Sequence, residues 1–355
     1  METPRINIDL GKIVHNAKKL KSLYGSKGIA VTAVTKVVCG DPRIVSALRK
    51  SGIETFADSR ISNIRRMRNA GINARFVLIR TPILSQAMSV VREADVSLNS
   101  EVSVIRELSE SAIKQKMTHK IILMVEMGDL REGLMPEDLE NTIEVIMGLR
   151  GVELVGIGTN LACLGGISPD DNKMEYLSAL AGEMEGKFSL KFEFVSGGNS
   201  ANYGWFMKSQ DVGRINDLRI GESIYLGCET LDRTPIPGLF TDAFTLMAEV
   251  IESKIKPSLP FGHRGQNAFG HIPDFQDQGP IRRAILGIGL QDVLVSGLTP
   301  RLDIDIIGMS SDHIIVDAKQ TEQPVGNEVA FDFNYGALLS AMTSPYVFKK
   351  YKESE

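Results

Sequence analysis

Ala30-Val31-Thr32-Ala33-Val34-Thr35-Lys36 is a run of small and β-branched residues that ends on a lysine. Such residues fit a pleated strand. A short, near-continuous apolar run suits a strand covered on both faces, as in a parallel sheet. With Ile29–Thr35 as the first strand, seven more runs of this kind follow at Thr55–Asp58, Arg75–Ile79, Val96–Leu98, Ile121–Val125, Leu154–Gly158, Lys191–Val195 and Asp217–Gly221. Helical patterns lie between most of them. Pro42–Ser51 is one, and Pro136–Leu149, with Leu139, Ile143, Ile146 and Met147 at helical spacing, is another. An earlier helix, Leu10–Tyr24, lines up Ile13, Ala17, Leu20 and Tyr24 and stops at Gly25. Alternating strands and helices predict the α/β class with a parallel sheet. Eight β/α units closing on themselves predict a (β/α)8 TIM barrel; an open doubly wound sheet is the competing architecture.

The texture changes after Leu231. Thr234-Pro235-Ile236-Pro237-Gly238 breaks the rhythm and reads as a linker. Beyond it, Thr245–Glu252, Arg283–Gly289, Leu302–Ile307 and His313–Asp317 read as a mostly antiparallel β domain. Lys256–Pro280, rich in Pro and Gly, reads as a long loop of the kind that binds or moves. The expected division is residues 1–232 for the barrel and 233–355 for a C-terminal, mostly β domain.

Composition excludes several function classes. The chain has 355 residues, 43% hydrophobic and 24% charged, with a net charge of −4 and no basic block, so nucleic-acid binding is not expected. Met1-Glu2-Thr3-Pro4-Arg5 carries no signal pattern, and no apolar run has membrane-spanning length. Cys39, Cys163 and Cys228 are odd in number and widely spaced, which suits a cytoplasmic protein without a disulfide framework or zinc site. His263 and His271 lie in the long loop without ligand spacing, so no metal is expected.

Active sites of such barrels form at the carboxyl ends of the strands, which makes the residues just after each strand the candidates. Lys36 ends its strand on an apolar run. An apolar setting desolvates an ammonium, the condition an imine-forming amine requires. The strand alone fits a rim lysine, solvated or paired with Glu126, just as well. Ser196-Gly197-Gly198-Asn199-Ser200 follows the seventh strand, where barrels commonly hold phosphate; a tight glycine turn is the plainer reading. Arg219-Ile220-Gly221 follows at the eighth. An arginine can only donate, so opposite a ring nitrogen it would keep that nitrogen unprotonated. The plainer reading pairs Arg219 with Asp217 or Glu222.

Together these segments resemble the alanine racemase superfamily of pyridoxal 5′-phosphate (PLP) enzymes of fold type III, in the same order across nearly the whole chain. Ala33-Val34-Thr35-Lys36 looks like the PLP-lysine segment. Val125-Glu126-Met127-Gly128-Asp129-Leu130-Arg131-Glu132-Gly133 resembles V-D-T-G-M-x-R-x-G, which implies that Arg131 holds the substrate carboxylate. Gly158-Thr159-Asn160 sits where the family has its ring-stacking histidine. Ser196–Ser200 resembles the phosphate segment. Arg219-Ile220-Gly221-Glu222-Ser223-Ile224-Tyr225-Leu226-Gly227 resembles R-P-G-I-x-L-Y-G, which puts Arg219 on the pyridine nitrogen and the amides at Gly221 and Glu222 on the phosphate. Ile307–His313 resembles G-x-x-S-M-D. Pro235–Gly238, Ile285–Asp292 and Ala341–Tyr346 are most similar to the ornithine- and lysine-type racemases.

The resemblance implies a homodimeric, PLP-dependent amino-acid racemase with shared active sites. Lys36 would exchange the Cα proton on one face, and a group of the partner's β domain would do so on the other. The implied cofactor contacts are Lys36, Asn160, Ser196, Asn199, Ser200, Arg219, Gly221, Glu222 and Tyr346. The chain departs from the family at the second base: Gly287–Asp292 lacks the tyrosine expected there. Asp312 is the first candidate instead, with Asp292, His313 and Tyr346 behind it. Glu132, Asp129 or Asp312 would meet a cationic substrate side chain. The alternatives are a basic amino-acid decarboxylase, whose three-glycine loop and C-D-x-x-D stretch are absent, and a non-catalytic PLP-binding homeostasis protein, which lacks a second domain.

Overall fold

The computed structural model describes residues 2–267 and 269–353. The chain divides into two compact units, one of residues 11–241 and one of residues 1–10 with 242–355.

The chain opens with a strand, β1 (Arg5–Asp9), of the second unit. The first unit is a closed barrel of eight strands: β2 (Ala30–Val34), β3 (Thr55–Asp58), β4 (Arg75–Leu78), β5 (Val96–Asn99), β6 (His119–Met124), β7 (Val152–Gly158), β8 (Phe194–Ser196) and β9 (Asp217–Ile220). Every neighbouring pair is parallel, and β9 closes on β2 with Val31 beside Leu218 and Thr32 beside Arg219. The eight expected strands are all present, and closure rules out the open sheet. Alternation along each strand turns every second side chain inward. Val34, Ala57, Val77, Val96, Leu98, Ile122, Met124, Val155 and Phe194, drawn from seven different strands, pack as one buried cluster. No β9 residue joins that cluster. Its inward positions are taken by Asp217 and Arg219, each about 5% exposed.

The second unit is a mostly antiparallel sheet of β1, β10 (Phe244–Pro257), β11 (Pro280–Leu286), β12 (Leu298–Pro300), β13 (Asp305–Met309), β14 (Ile314–Asp317), β15 (Glu328–Phe333) and β16 (Phe348–Lys352). The sequence reading placed residues 1–232 together, but Arg5-Ile6-Asn7-Ile8-Asp9 pairs antiparallel with β10 and parallel with β16. The reason is its alternation: Ile6 and Ile8 are buried, and their hydrogen-bonding edges meet strands of the second unit. The Arg5 guanidinium forks onto Glu328, with both contacts at 2.6 Å. The helix Tyr335–Thr343 and the strands β12, β15 and β16 were also outside the expected set. The long loop is shorter than expected, because β10 runs to Pro257 and β11 starts at Pro280; position 268 of that loop lies outside the described residues.

Candidate active site

Lys36 starts a single 3-10 turn, Lys36–Val38, directly after β2. Its foundation is Thr35, whose N–H donates to Ala57 O at 2.8 Å and whose hydroxyl donates to Asp58 Oδ2 at 2.8 Å. Asp58 is fully buried and also accepts from Arg60 N and Asn63 Nδ2. Burial pushes its carboxyl above the usual range, while those hydrogen bonds and the charge of Lys36 pull it back. A second buried carboxylate, Glu222, also feels the Lys36 charge. Burial raises it too, and its side chain is paired with Arg233.

Arg219 is held from inside the barrel. Its Nη1 donates to Ser196 Oγ at 2.5 Å, and its Nη2 donates to Thr159 O at 2.6 Å. The Ser196 hydroxyl donates in turn to Asp217 Oδ2, while Thr32 Oγ1 donates to Asp217 Oδ1 at 2.5 Å. Burial pushes the guanidinium pKa down, and the charge of Asp217 works against that. Ser196, expected at a phosphate, is therefore a fully buried link between Arg219 and its counter-charge. Its position on β8 beside Asp217 of β9 explains this, since Ser196 and Asp217 are the register pair joining those strands. The plainer sequence reading of Arg219, a pairing with Asp217, is realised through this hydroxyl; Glu222 goes to Arg233 instead.

Asn199 caps the turn after β8. Its Oδ1 accepts from Ala201 N at 2.8 Å, and its Nδ2 donates to Leu161 O at 2.8 Å and Asn160 Oδ1 at 3.1 Å. Gly198, at φ +140°, is needed there because a Cβ would lie 2.2 Å from Asn202 Oδ1. Ser200 is buried and accepts from Ser223 N at 3.3 Å, which joins the turns after β8 and β9. Gly221 begins the second of these turns, and a Cβ there would come within 3.2 Å of Val34 Cβ. The Nδ2 of Asn160 is buried without a hydrogen-bond partner among the described residues, while its Oδ1 lies 3.5 Å from Arg219 Nη2.

Arg131 lies on the loop after β6. The loop returns on itself, with Glu126 N donating to Leu134 O and Leu134 N to Met124 O, both at 2.8 Å. Glu126 Oε1 accepts from Gly128 N and Leu130 N. Asp129 accepts from the amides of Cys163, Leu164 and Gly165. Burial acts to raise the Asp129 pKa, and the amides outweigh it and hold the pKa below the usual range. The Arg131 fork is occupied by Glu132, one contact at 2.5 Å. The sequence alone shows neither this pairing nor the relay through Ser196 and Thr32 by which Asp217 supports Arg219. The two-residue spacing of Asp217 and Arg219 on one strand face was the available signal.

In the second unit, Asp312 sits in the turn between β13 and β14. Its Oδ1 is 3.0 Å from both Ser311 Oγ and His313 Nδ1. The Ser311 hydrogen bond, helped by His313, lowers its pKa. Asp292 is buried, accepting from Gly289 N and Ser344 Oγ, both at 3.3 Å. Tyr346 is 66% exposed.

A lysine, an inward arginine and glycine turns at the carboxyl ends of a closed parallel barrel, with an antiparallel β unit after it, define a two-unit barrel enzyme. Residues 8–228 match the profile of the alanine racemase N-terminal domain, and the chain belongs to the alanine racemase family. It is 39% identical to the ornithine racemase of Acetoanaerobium sticklandii over 98% of this chain and 99% of that one. It is 40% identical to the lysine racemase of Thermotoga maritima over the whole of both. An alanine racemase structure from Clostridium difficile 630 superposes with a TM-score of 0.75 over 100% of this chain and 97% of that one. At 17% identity, this last likeness speaks for the fold. Among the described residues no helix is long and apolar enough to cross a membrane.

Proposed function

We propose that the chain is a PLP-dependent racemase of a basic amino acid, ornithine or lysine, working in the cytoplasm as a homodimer. The full-length likeness to an ornithine and a lysine racemase carries the reading. The residues at the barrel mouth fit the cofactor. Lys36 offers the amine. Arg219 offers a donor that cannot itself give up its proton. Ser200 and the turn at Gly221 and Glu222 offer a phosphate cradle, and the unpartnered Asn160 Nδ2 offers a donor beside Arg219. When bound, PLP supplies the electron sink that acidifies the Cα–H of an amino acid.

The chain's own groups do the rest. Lys36 takes and returns the proton on one face of Cα. Arg131 holds the α-carboxylate by its fork. The far face requires a second proton carrier, drawn from the partner's β unit. Asp312, kept ionised by Ser311 and His313, fits there as the carboxylate that orients His313, whose imidazole both accepts and donates.

Incubation of the holoenzyme with L-ornithine, L-lysine and L-alanine in deuterated water, read by chiral chromatography, should give D-ornithine or D-lysine with deuterium at Cα. Lys36→Ala should lower that rate by roughly a thousandfold or more. Absence of any D-isomer from the wild-type enzyme would defeat the reading.

A further inference from the structure

Three carboxylates crowd the loop after β6, and they are used differently. Glu126 is spent on the amides of Gly128 and Leu130, and Asp129 on those of Cys163, Leu164 and Gly165. Neither can turn to a ligand without releasing the loop. Among the described residues Glu132 has no backbone donor, and its hydrogen bonds and ion pair are with the Arg131 guanidinium. The side chains of Arg131 and Glu132 are 40% and 24% exposed. Arg131 and Glu132 follow β6 at the same end of the barrel at which Lys36 follows β2, and the charges of both reach Arg219. The backbone beneath them is fixed: Leu130 is held at φ +53°, and a Cβ on Gly133 would lie 2.6 Å from Glu126 N. Only side chains are left to move.

We propose that Glu132 is the residue that selects a cationic side chain, by exchange of ion pairs. The inference rests on the racemase reading, in which Arg131 receives the α-carboxylate. That carboxylate displaces Glu132 from the arginine fork. A basic substrate then supplies the displaced Glu132 with its terminal ammonium, so two ion pairs replace one. A neutral substrate brings no replacement and leaves two carboxylates sharing one guanidinium. Like charges so placed repel, and a desolvated carboxylate without a partner is costly. An acidic substrate adds a third carboxylate. Glu132 thus acts twice, against neutral and acidic side chains by holding Arg131 and for basic ones by pairing with them.

L-Ornithine and L-norvaline have the same side-chain carbons and differ in the terminal ammonium, so they isolate the effect. In Glu132→Gln holoenzyme, KM for ornithine should rise roughly tenfold and KM for norvaline should fall severalfold, with kcat changing less than about threefold. Calorimetric titration with the same two ligands should show the same opposite shifts in Kd. Glu132→Asp should keep the preference for ornithine, and an unchanged thermal midpoint shows that the variants are folded. Shifts in the same direction for both ligands, or no shift, would overturn the inference. Failure to form any D-isomer would defeat the racemase reading instead, while the calorimetric ratio would still decide whether Glu132 reads the ammonium.

Discussion

The two ends of the barrel handle charge in opposite ways. At the amino end, carboxylates pair chiefly with cationic side chains. Glu193, just before β8, meets Arg75 of β4 and Lys120 of β6. Asp95, just before β5, takes Arg68 at 2.8 Å and Phe76 N at 2.7 Å. The His119 ring meets Ser97 Oγ at 2.8 Å. At the carboxyl end, most carboxylates are turned to the main chain. Asp58, Glu126, Asp129 and Glu229 each accept backbone amides of their own or a neighbouring loop. The amino end closes the barrel. The carboxyl end uses acids to shape loops, and the side chains that rise there include Lys36, Arg131 and Arg219. A mouth of that kind attracts phosphate and carboxylate groups.

Changes at either end should break this contrast unequally. The largest effect is expected from Asp217→Asn, which removes the counter-charge of a buried arginine. Loss of one partner from such a pair costs about 3–5 kcal/mol. Denaturant unfolding should show that loss, and Ser196→Ala, which breaks only the link, should lose less. An Asp217→Asn protein as stable as wild type would mean that Thr159 and Asn160 suffice to hold Arg219.

His119 gives a conditional effect. Burial pushes its imidazole down to about 4 from 6.5. Between those values the unfolded chain carries the proton and the barrel does not. Stability therefore falls as pH drops from 6.5 towards 4 and levels off below, by at most about 3 kcal/mol. In His119→Gln, thermal midpoints across that window should vary less with pH than in wild type; an equal slope would assign the dependence to carboxylates. The smallest effect is expected from Arg75→Met. Its ion pair is well exposed, so the change should cost about 0.5 kcal/mol and leave kcat and KM as they were. A loss of activity there would show that the amino end is not merely structural.

The barrel was legible because each of its strands is a compact apolar run, and burial on both faces writes that pattern directly into sequence. β1 was not. Five residues with polar side chains at every other position resemble many turns, and their partners lie more than two hundred residues away. That the candidate side chains gather at the carboxyl ends of the strands was legible from the alternation of strands and helices. The wiring of the site was not, because Ser196 follows the same strand whether its hydroxyl faces a phosphate or an arginine. Only the register of β8 against β9 separates the two. Thr32 looks like an ordinary strand residue until closure brings β9 beside β2. The pairing of Arg131 with Glu132 depends on side-chain torsions, on which an adjacent Arg-Glu dipeptide is silent.

The position of β1 bears on the order in which a ribosome can deliver this fold. β1 waits for β10 and β16, which follow it by more than two hundred residues. At bacterial-like elongation rates of about 5–20 residues per second, some tens of seconds separate Arg5 from Phe348. All eight barrel strands emerge within that interval, so the barrel can close while β1 still exposes its edges. An exposed strand edge invites pairing with other chains. Holdase chaperones and neighbouring nascent copies are the natural competitors for Arg5–Asp9 during that delay.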